Sequence, residues 1–188
     1  VGDRIFVIKY TYGYSKHSFP FSPNFSNKRF MSNNPKQGDL VVFKTPADNR
    51  TDYIKRLIGL PGDEIQFING DLFINGNKIL REKSKIIEPI RCGNFTFDSI
   101  AYTETLPNGV KHLATYNKAG SLQNTKKYIV PPNHYFLMGD NRDCSKDSRF
   151  LEEVGYVNNL NLVWKAKIIF FSNDTKKGSL LKFWNLHN

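Results

Sequence analysis

The chain has 188 residues and a formal charge of +10, from 27 basic against 17 acidic side chains. Its hydrophobic content of 39% and aromatic content of 14% exclude an intrinsically disordered chain and are enough for a substantial core, as one large domain or a main body with an appendage. The basic excess suits an anionic surface, nucleic acid or lipid headgroups. Yet the basic residues are scattered, in short doublets such as Lys126-Lys127 and Lys176-Lys177, and read mostly as solvated surface.

No apolar run reaches the roughly 18 residues needed to cross a bilayer, and no signal peptide is visible. The chain opens on Val1 without an initiator methionine and reads as a piece of something longer, so it says little about an anchor in the intact protein. The two cysteines, Cys92 and Cys144, form no Cys-x-x-Cys pair, which argues against zinc. They could pair in an oxidising compartment, and sequence leaves that open.

In chain order, residues 5–10 predict a strand closed at Tyr12-Gly13. Residues 15–37, rich in Ser, Asn, Pro and Phe and without a period, predict a long surface loop anchored by Phe19, Phe21, Phe25 and Phe30, with membrane contact as their sharper role. A turn at Pro35–Asp39 leads into a short apolar strand, Leu40–Phe43, and Pro46–Arg50 is another turn. Within Asp52–Asp63, Tyr53, Ile54, Leu57 and Ile58 predict a strand that ends at the rigid turn Gly59-Leu-Pro-Gly62, where Pro61 fixes φ and Gly62 allows a positive φ. Lys55 sits in the middle of that strand. A strand lysine ordinarily points to water. Neighbours alternate in direction, however, so an exposed Arg56 would turn Lys55 inward with Tyr53 and Leu57. Burial disfavours the ammonium, and a neutral amine can serve as a general base.

Residues 65–76 hold two Asn-Gly pairs between apolar runs, a strong meander signal. Residues 81–127 are more polar and less regular, with a hairpin turn at Thr105–Val110, and could form a second, smaller β-subdomain. Tyr128–Val130, Tyr135–Met138 and Val163–Phe171 predict core strands, and Leu180–Trp184 a short amphipathic segment. No long helix and no repeat is evident, so the chain predicts an all-β or β-rich fold.

Met138–Arg149 follows a buried strand and is dense in short polar side chains. It fits a solvated loop. A calcium loop fails, because Ser148 and Val154 stand where the glycine and the bidentate glutamate belong. It also fits a braced polar network, in which Asp147 and Arg149 form a charge-assisted pair and the Ser145 hydroxyl accepts from a nearby amine.

Tyr53-Ile-Lys-Arg-Leu-Ile-Gly-Leu-Pro-Gly-Asp63 and Gly139-Asp-Asn-Arg-Asp-Cys-Ser-Lys-Asp-Ser-Arg149 resemble two signature boxes of bacterial type I signal peptidases, and residues 1–13 resemble a third. Shorter matches at Gly38–Phe43, Leu106–Gly109 and Asn161–Val163 follow in the right order. The resemblance implies a mostly β catalytic core of short antiparallel strands, residues 1–80 and 128–175, with a smaller β-subdomain inserted at 81–127 and a tail at 176–188. It implies a membrane-anchored serine endopeptidase with a Ser–Lys dyad, its catalytic domain on the periplasmic side of the bacterial cytoplasmic membrane. Its partners would be signal peptides of exported preproteins, the membrane surface and an N-terminal transmembrane anchor, with no nucleic acid, metal or cofactor.

By position, Lys55 matches the general base, Ser145 the residue that orients the lysine, and Asp147 and Arg149 the bracing pair. Ile5, Val42, Tyr53 and Ile54 match residues lining the small pockets that select Ala-like side chains. Cys144 departs from the common Asn, residues 151–157 are longer than the shortest versions, and Asn158-Asn159 and Trp164 stand where Pro-containing and Gly residues are common. The nucleophile of the family lies in a Ser-Met-x-Pro motif that would fall about seven residues before Val1, and a dyad cannot lack its hydroxyl. Ser15, Ser18, Ser22, Ser26 and Ser32 are not followed by Met-x-Pro. The expectation is therefore an active parent and an inactive 188-residue chain. Two rivals are weaker. A self-cleaving repressor-type Ser–Lys peptidase would carry a DNA-binding module, and a cationic binding module would cluster its basic residues with aromatics on one face.

Overall fold

The computed structural model describes residues 4–8, 11–14, 29, 33–118, 124–171 and 184–185. In chain order the strands are β1 (Arg4–Ile8), β2 (Leu40–Lys44), β3 (Asp52–Gly59), β4 (Glu64–Ile68), β5 (Asp71–Ile74), β6 (Asn77–Lys78), β7 (Leu80–Cys92), β8 (Phe95–Thr105), β9 (Lys111–Asn117), β10 (Tyr128–Ile129), β11 (His134–Met138), β12 (Val157–Asn158), β13 (Leu162–Phe171) and β14 (Trp184–Asn185). A 3-10 turn at Asn159–Asn161 precedes β13. The fold is thus mostly β, as the patterning predicts. The largest sheet has the order β1-β13-β2-β3-β11-β12, with β14 on β13; β10-β4-β5-β6 and β7-β8-β9 make two smaller sheets.

The Asn-Gly pairs form the meander for a local reason. Asn69 and Gly70 have φ of 50° and 79°, and Asn75 and Gly76 have 52° and 74°. Both central residues of each turn are left-handed, which matches the twist of the strands they join.

The two central strands are apolar on both faces because each face meets a different core. Ile58, Phe136 and Met138 pack with Ile65, Phe67, Leu72 and Tyr116. Their chain neighbours Leu57, Tyr135 and Leu137 pack on the other side with Val41, Phe43, Val154 and Leu162. Adjacent residues on a strand point oppositely, so a strand between two cores reads as a continuous apolar run.

Residues 80–105 are more regular than their polarity predicts, within the region expected to form a smaller β-subdomain. They form a long ribbon, β7 of 13 residues on β8 of 11. Towards its tip the described side chains are largely solvent-facing, so no buried face imposes the alternation by which a strand is recognised. The predicted anchors Phe19, Phe21, Phe25 and Phe30 lie outside the described residues. So does the tail, apart from Trp184–Asn185, which pairs with Ile168 and Ile169.

Candidate active site

β3 is paired along its length in two halves. Leu40–Lys44 of β2 runs against Arg56–Asp52 without a register shift, whereas β11 pairs only with the distal half and stops at Met138 opposite Arg56. The chain then leaves the sheet as the polar segment 139–149. Lys55 lies one residue beyond the last β11 pair, so its side chain meets this segment rather than another strand.

Lys55 donates to Ser145 Oγ at 2.8 Å, and its Nζ lies 5.4 Å from the Tyr53 ring centroid on the same face. Gly139 makes this approach feasible. A Cβ at that position would lie 2.1 Å from Ser145 Oγ and 2.4 Å from its Cβ, far inside contact distance, so any side chain there would expel Ser145. Burial is the main influence on Lys55 and pushes its pKa below the usual lysine range; Asp147 opposes this, Arg149 adds to it and Asp140 opposes it. Among the described residues no carboxylate forms an ion pair with Lys55, because the nearby ones are engaged elsewhere.

Asp147 is fully buried. It accepts from Arg149 through two bonds, Nε to Oδ1 at 2.8 Å and Nη2 to Oδ2 at 2.9 Å, and from the Gly139 amide at 3.0 Å. Such a fork-to-carboxylate pair is strong and directional. Arg149 also donates to the Arg142 carbonyl. Ser148 closes the far end of the segment onto β11: its Oγ accepts from the Leu137 amide at 2.9 Å, and its amide donates to the Leu137 carbonyl at 3.0 Å.

Arg56 is not exposed, contrary to the condition set for turning Lys55 inward. It is 5% exposed and grips Asp140 with two 2.8 Å bonds while donating to the Gly38 carbonyl at 2.8 Å. Lys55 and Arg56 thus both enter the structure, on opposite faces, because the 139–149 segment lies across the end of the strand. The sequence pattern missed Asp140 as a partner.

The rest of the segment is fastened to the ribbon sheet. Asp140 O accepts from the Thr115 amide at 2.7 Å, and the Arg142 amide donates to the Thr115 carbonyl at 2.9 Å. Asp143 Oδ2 accepts from the Asn117 amide at 2.5 Å. Cys144 is joined to Cys92, at the end of β7, by a disulfide. Below it the Arg142 guanidinium, 1% exposed, meets Glu104 at 2.6 Å and the Tyr116 hydroxyl at 3.1 Å, and His112 stands 3.3 Å from Glu104.

Four further candidates were named from sequence. Tyr53 shares the Lys55 face. Val42 and Ile54 are direct cross-strand partners on the opposite face, Val42 buried and Ile54 40% exposed. Ile5 lies in β1 opposite Ile169, and its side chain lies outside the described residues. Among the described residues no group of three or more His, Cys, Asp or Glu gathers to hold a metal ion. A pocket of about 310 Å³ lined by Lys126, Arg149 and residues 150–153 touches this cluster only through Arg149.

The family model described as "Signal peptidase, peptidase S26" matches residues 1–171. The chain belongs to the signal peptidase S26 family. Among similar S26 proteins, the "Signal peptidase I" of Rickettsia bellii (strain OSU 85-389) is 40% identical over 180 residues, covering 90% of this chain and 60% of that protein. The "Signal peptidase I" of Rickettsia typhi (strain ATCC VR-144 / Wilmington) is 41% identical over 181 residues, covering 90% and 66%. The chain therefore spans less than two thirds of the length of these curated relatives. A solved signal peptidase I from Enterococcus faecalis V583 is 25% identical, covers 69% of this chain and 94% of that chain, and has a TM-score of 0.39.

Proposed function

We propose that the complete protein removes signal peptides from exported preproteins as a Ser–Lys serine endopeptidase, with Lys55 as its general base. The observation that carries this reading is the 2.8 Å bond from Lys55 Nζ to Ser145 Oγ in a site where burial lowers the lysine pKa and no described carboxylate pairs with it. A lysine so placed gives up its proton more readily than an exposed one, and its hydroxyl partner holds the amine in one orientation.

In this mechanism Lys55 accepts the proton of the nucleophilic serine as that oxygen attacks the scissile carbonyl. The lysine then protonates the leaving amine and afterwards takes a proton from the water that releases the acyl group. Ser145 orients the lysine by accepting one of its N–H bonds, which leaves the nitrogen lone pair directed elsewhere. Asp147 and Arg149 brace the segment that carries Ser145. The nucleophile is the serine of a Ser-Met-x-Pro motif, which does not occur in residues 1–188, so the 188-residue chain alone is expected not to turn over. No metal or cofactor takes part.

The preprotein lies extended along the proximal half of β3, where pairing with β11 has ended at Arg56, and adds its backbone to that edge. Ile5, Val42, Tyr53 and Ile54 line the small pockets, which reject large side chains sterically. In the same reading residues 1–80 and 128–175 form the catalytic core, 81–127 an inserted β-subdomain and 176–188 a tail. The parent is anchored in the bacterial cytoplasmic membrane with this part outside, where oxidising conditions suit the Cys92–Cys144 disulfide.

The test is Lys55→Ala in the full-length protein, assayed on a preprotein and compared by circular dichroism. Cleavage should vanish while the spectrum stays unchanged. Retained cleavage would remove Lys55 from the mechanism.

A further inference from the structure

Ser145 is a single hydroxyl on an irregular segment, and what holds it in place differs on its two sides. On the C-terminal side Asp147 and Ser148 are fixed to the main sheet through Gly139 and Leu137. On the N-terminal side Arg56 of β3 holds the Asp140 carboxylate and Arg149 donates to the Arg142 carbonyl, while the ribbon sheet takes the backbone of Asp140 and Arg142 through Thr115, Asp143 through Asn117, and Cys144 through Cys92. The residue immediately before Ser145 therefore hangs from β7 by a covalent bond. Its own amide makes only a long contact, 3.4 Å to the Asn141 carbonyl.

We propose that the Cys92–Cys144 disulfide is a positioning element for the reaction, holding Ser145 against Lys55 from the ribbon side. The proposal rests on the reading of Lys55 as the base. The closure is long, 52 residues, and reaches from the ribbon to the segment that contacts the lysine. The bond is also reversible by ordinary chemistry. Both cysteines are partly exposed, so a dithiol reductant can attack one sulfur, release the other as a thiol, and leave by forming its own disulfide. Two cysteine thiols are formed as one dithiol is oxidised.

Once cut, the segment around Ser145 keeps its Asp147 and Ser148 anchors but can drift away from Lys55. The lysine then loses its orienting acceptor, and water reaches it. The charged groups around it are Asp140, Asp147 and Arg149 of the segment; Asp140 and Asp147 stay engaged by Arg56 and Arg149. The principal change for Lys55 is therefore lost burial, which raises its pKa and moves the acid limb of kcat/KM to higher pH.

The experiment uses the full-length protein, oxidised, dithiol-reduced and as Cys92→Ser, a change at the ribbon end that leaves the segment's own residues intact. Free thiols are counted by mass shift after alkylation, and assays run below the melting temperature of the reduced form. The expected result is a fall in kcat of about ten- to a hundredfold, as for a small misplacement of a catalytic group, with KM little changed and the acid limb moved up. In Ser145→Ala, already lacking the hydroxyl, reduction should cost nothing further in kcat. An equal fall in wild type and Ser145→Ala, or unchanged kcat and pH limb with both thiols free, would overturn the proposal. Failure of the underlying reading looks different: it is cleavage retained by oxidised Lys55→Ala.

Discussion

Two cations, Arg142 and Lys55, meet the interior of this molecule at the segment 139–149, and they are treated in opposite ways. Arg142 is enclosed by Glu104, Tyr116 and His112. Burial works against its charge, but Glu104, with Tyr116, Asp140 and Asp147, more than restores it, so it is held protonated more firmly than an ordinary arginine. Lys55 is less deeply enclosed and is offered a hydroxyl instead of a carboxylate. Its pKa moves down. Arg142 and Ser145 are three positions apart in one segment, so that segment delivers together a guanidinium held by a carboxylate and a hydroxyl that meets the Lys55 amine. Two things separate the pair: a guanidinium keeps its charge whatever surrounds it, whereas a buried amine without a carboxylate partner is biased towards its neutral form.

Lys55→Arg is the sharpest way to break this distinction. If Lys55 were held as a charged group like Arg142, a permanent cation would replace it with modest loss. As a base it cannot be replaced by a guanidinium that never deprotonates. Cleavage by the full-length protein should fall by about a hundred- to ten-thousandfold, the usual contribution of general acid–base catalysis. Residual activity near wild type would erase the contrast.

Arg142→Met tests the other side. It leaves Glu104 buried at 1% exposure with only His112 and Tyr116 beside it. Removing one partner of a buried pair costs about 3–5 kcal/mol, read as a lowered denaturation midpoint at unchanged m-value. Adding Glu104→Leu should recover much of the loss, because the orphaned charge is then gone.

The fold was legible wherever local chemistry decides structure. Asn69-Gly70 and Asn75-Gly76 require left-handed turns whatever surrounds them, and Tyr135–Met138 needs apolar neighbours on both sides. Asp147 and Arg149 are two residues apart, so their pairing could be read from the segment itself. The neighbourhood of Arg56 could not. Its partner Asp140 is 84 residues away, and a strand cation without a visible partner reads as a surface charge. Glu104 and His112 were hidden for a similar reason, as polar residues on alternating strands ordinarily face water. The Cys92–Cys144 pairing stayed open because spacing alone carries no geometry.

Reducing that disulfide should also lower global stability, by up to about 4 kcal/mol on the chain-entropy estimate for a loop of this length. Thermal melts with and without dithiol measure it, with Cys92→Ser as the control in which dithiol has no effect. An unchanged melt would mean that the ribbon contacts alone hold the segment, leaving the covalent link without a stabilising share.

The smallest effect is the dependence of stability on pH, and the two cations should write it with separate signatures. Burial alone would raise the Glu104 carboxyl, but Arg142, with His112 and Tyr116, carries it down to about 2 from an ordinary 4.5. Its folded pKa is depressed, so the unfolded chain binds more protons between those values. The contribution is fully present above about 4.5 and is lost as pH falls towards 2. Lys55 is also depressed, but as a base: between its lowered folded pKa and the ordinary 10.5 the unfolded chain again holds the extra proton. Stability should therefore gain from Lys55 as pH rises through that window, and the penalty of charging it should be felt below. Denaturation midpoints measured across pH separate the two. Glu104→Gln should flatten the acid slope alone, and Lys55→Met the alkaline slope alone. A Lys55→Met protein that kept the alkaline slope would show that burial does not depress the lysine, and the contrast with Arg142 would fall.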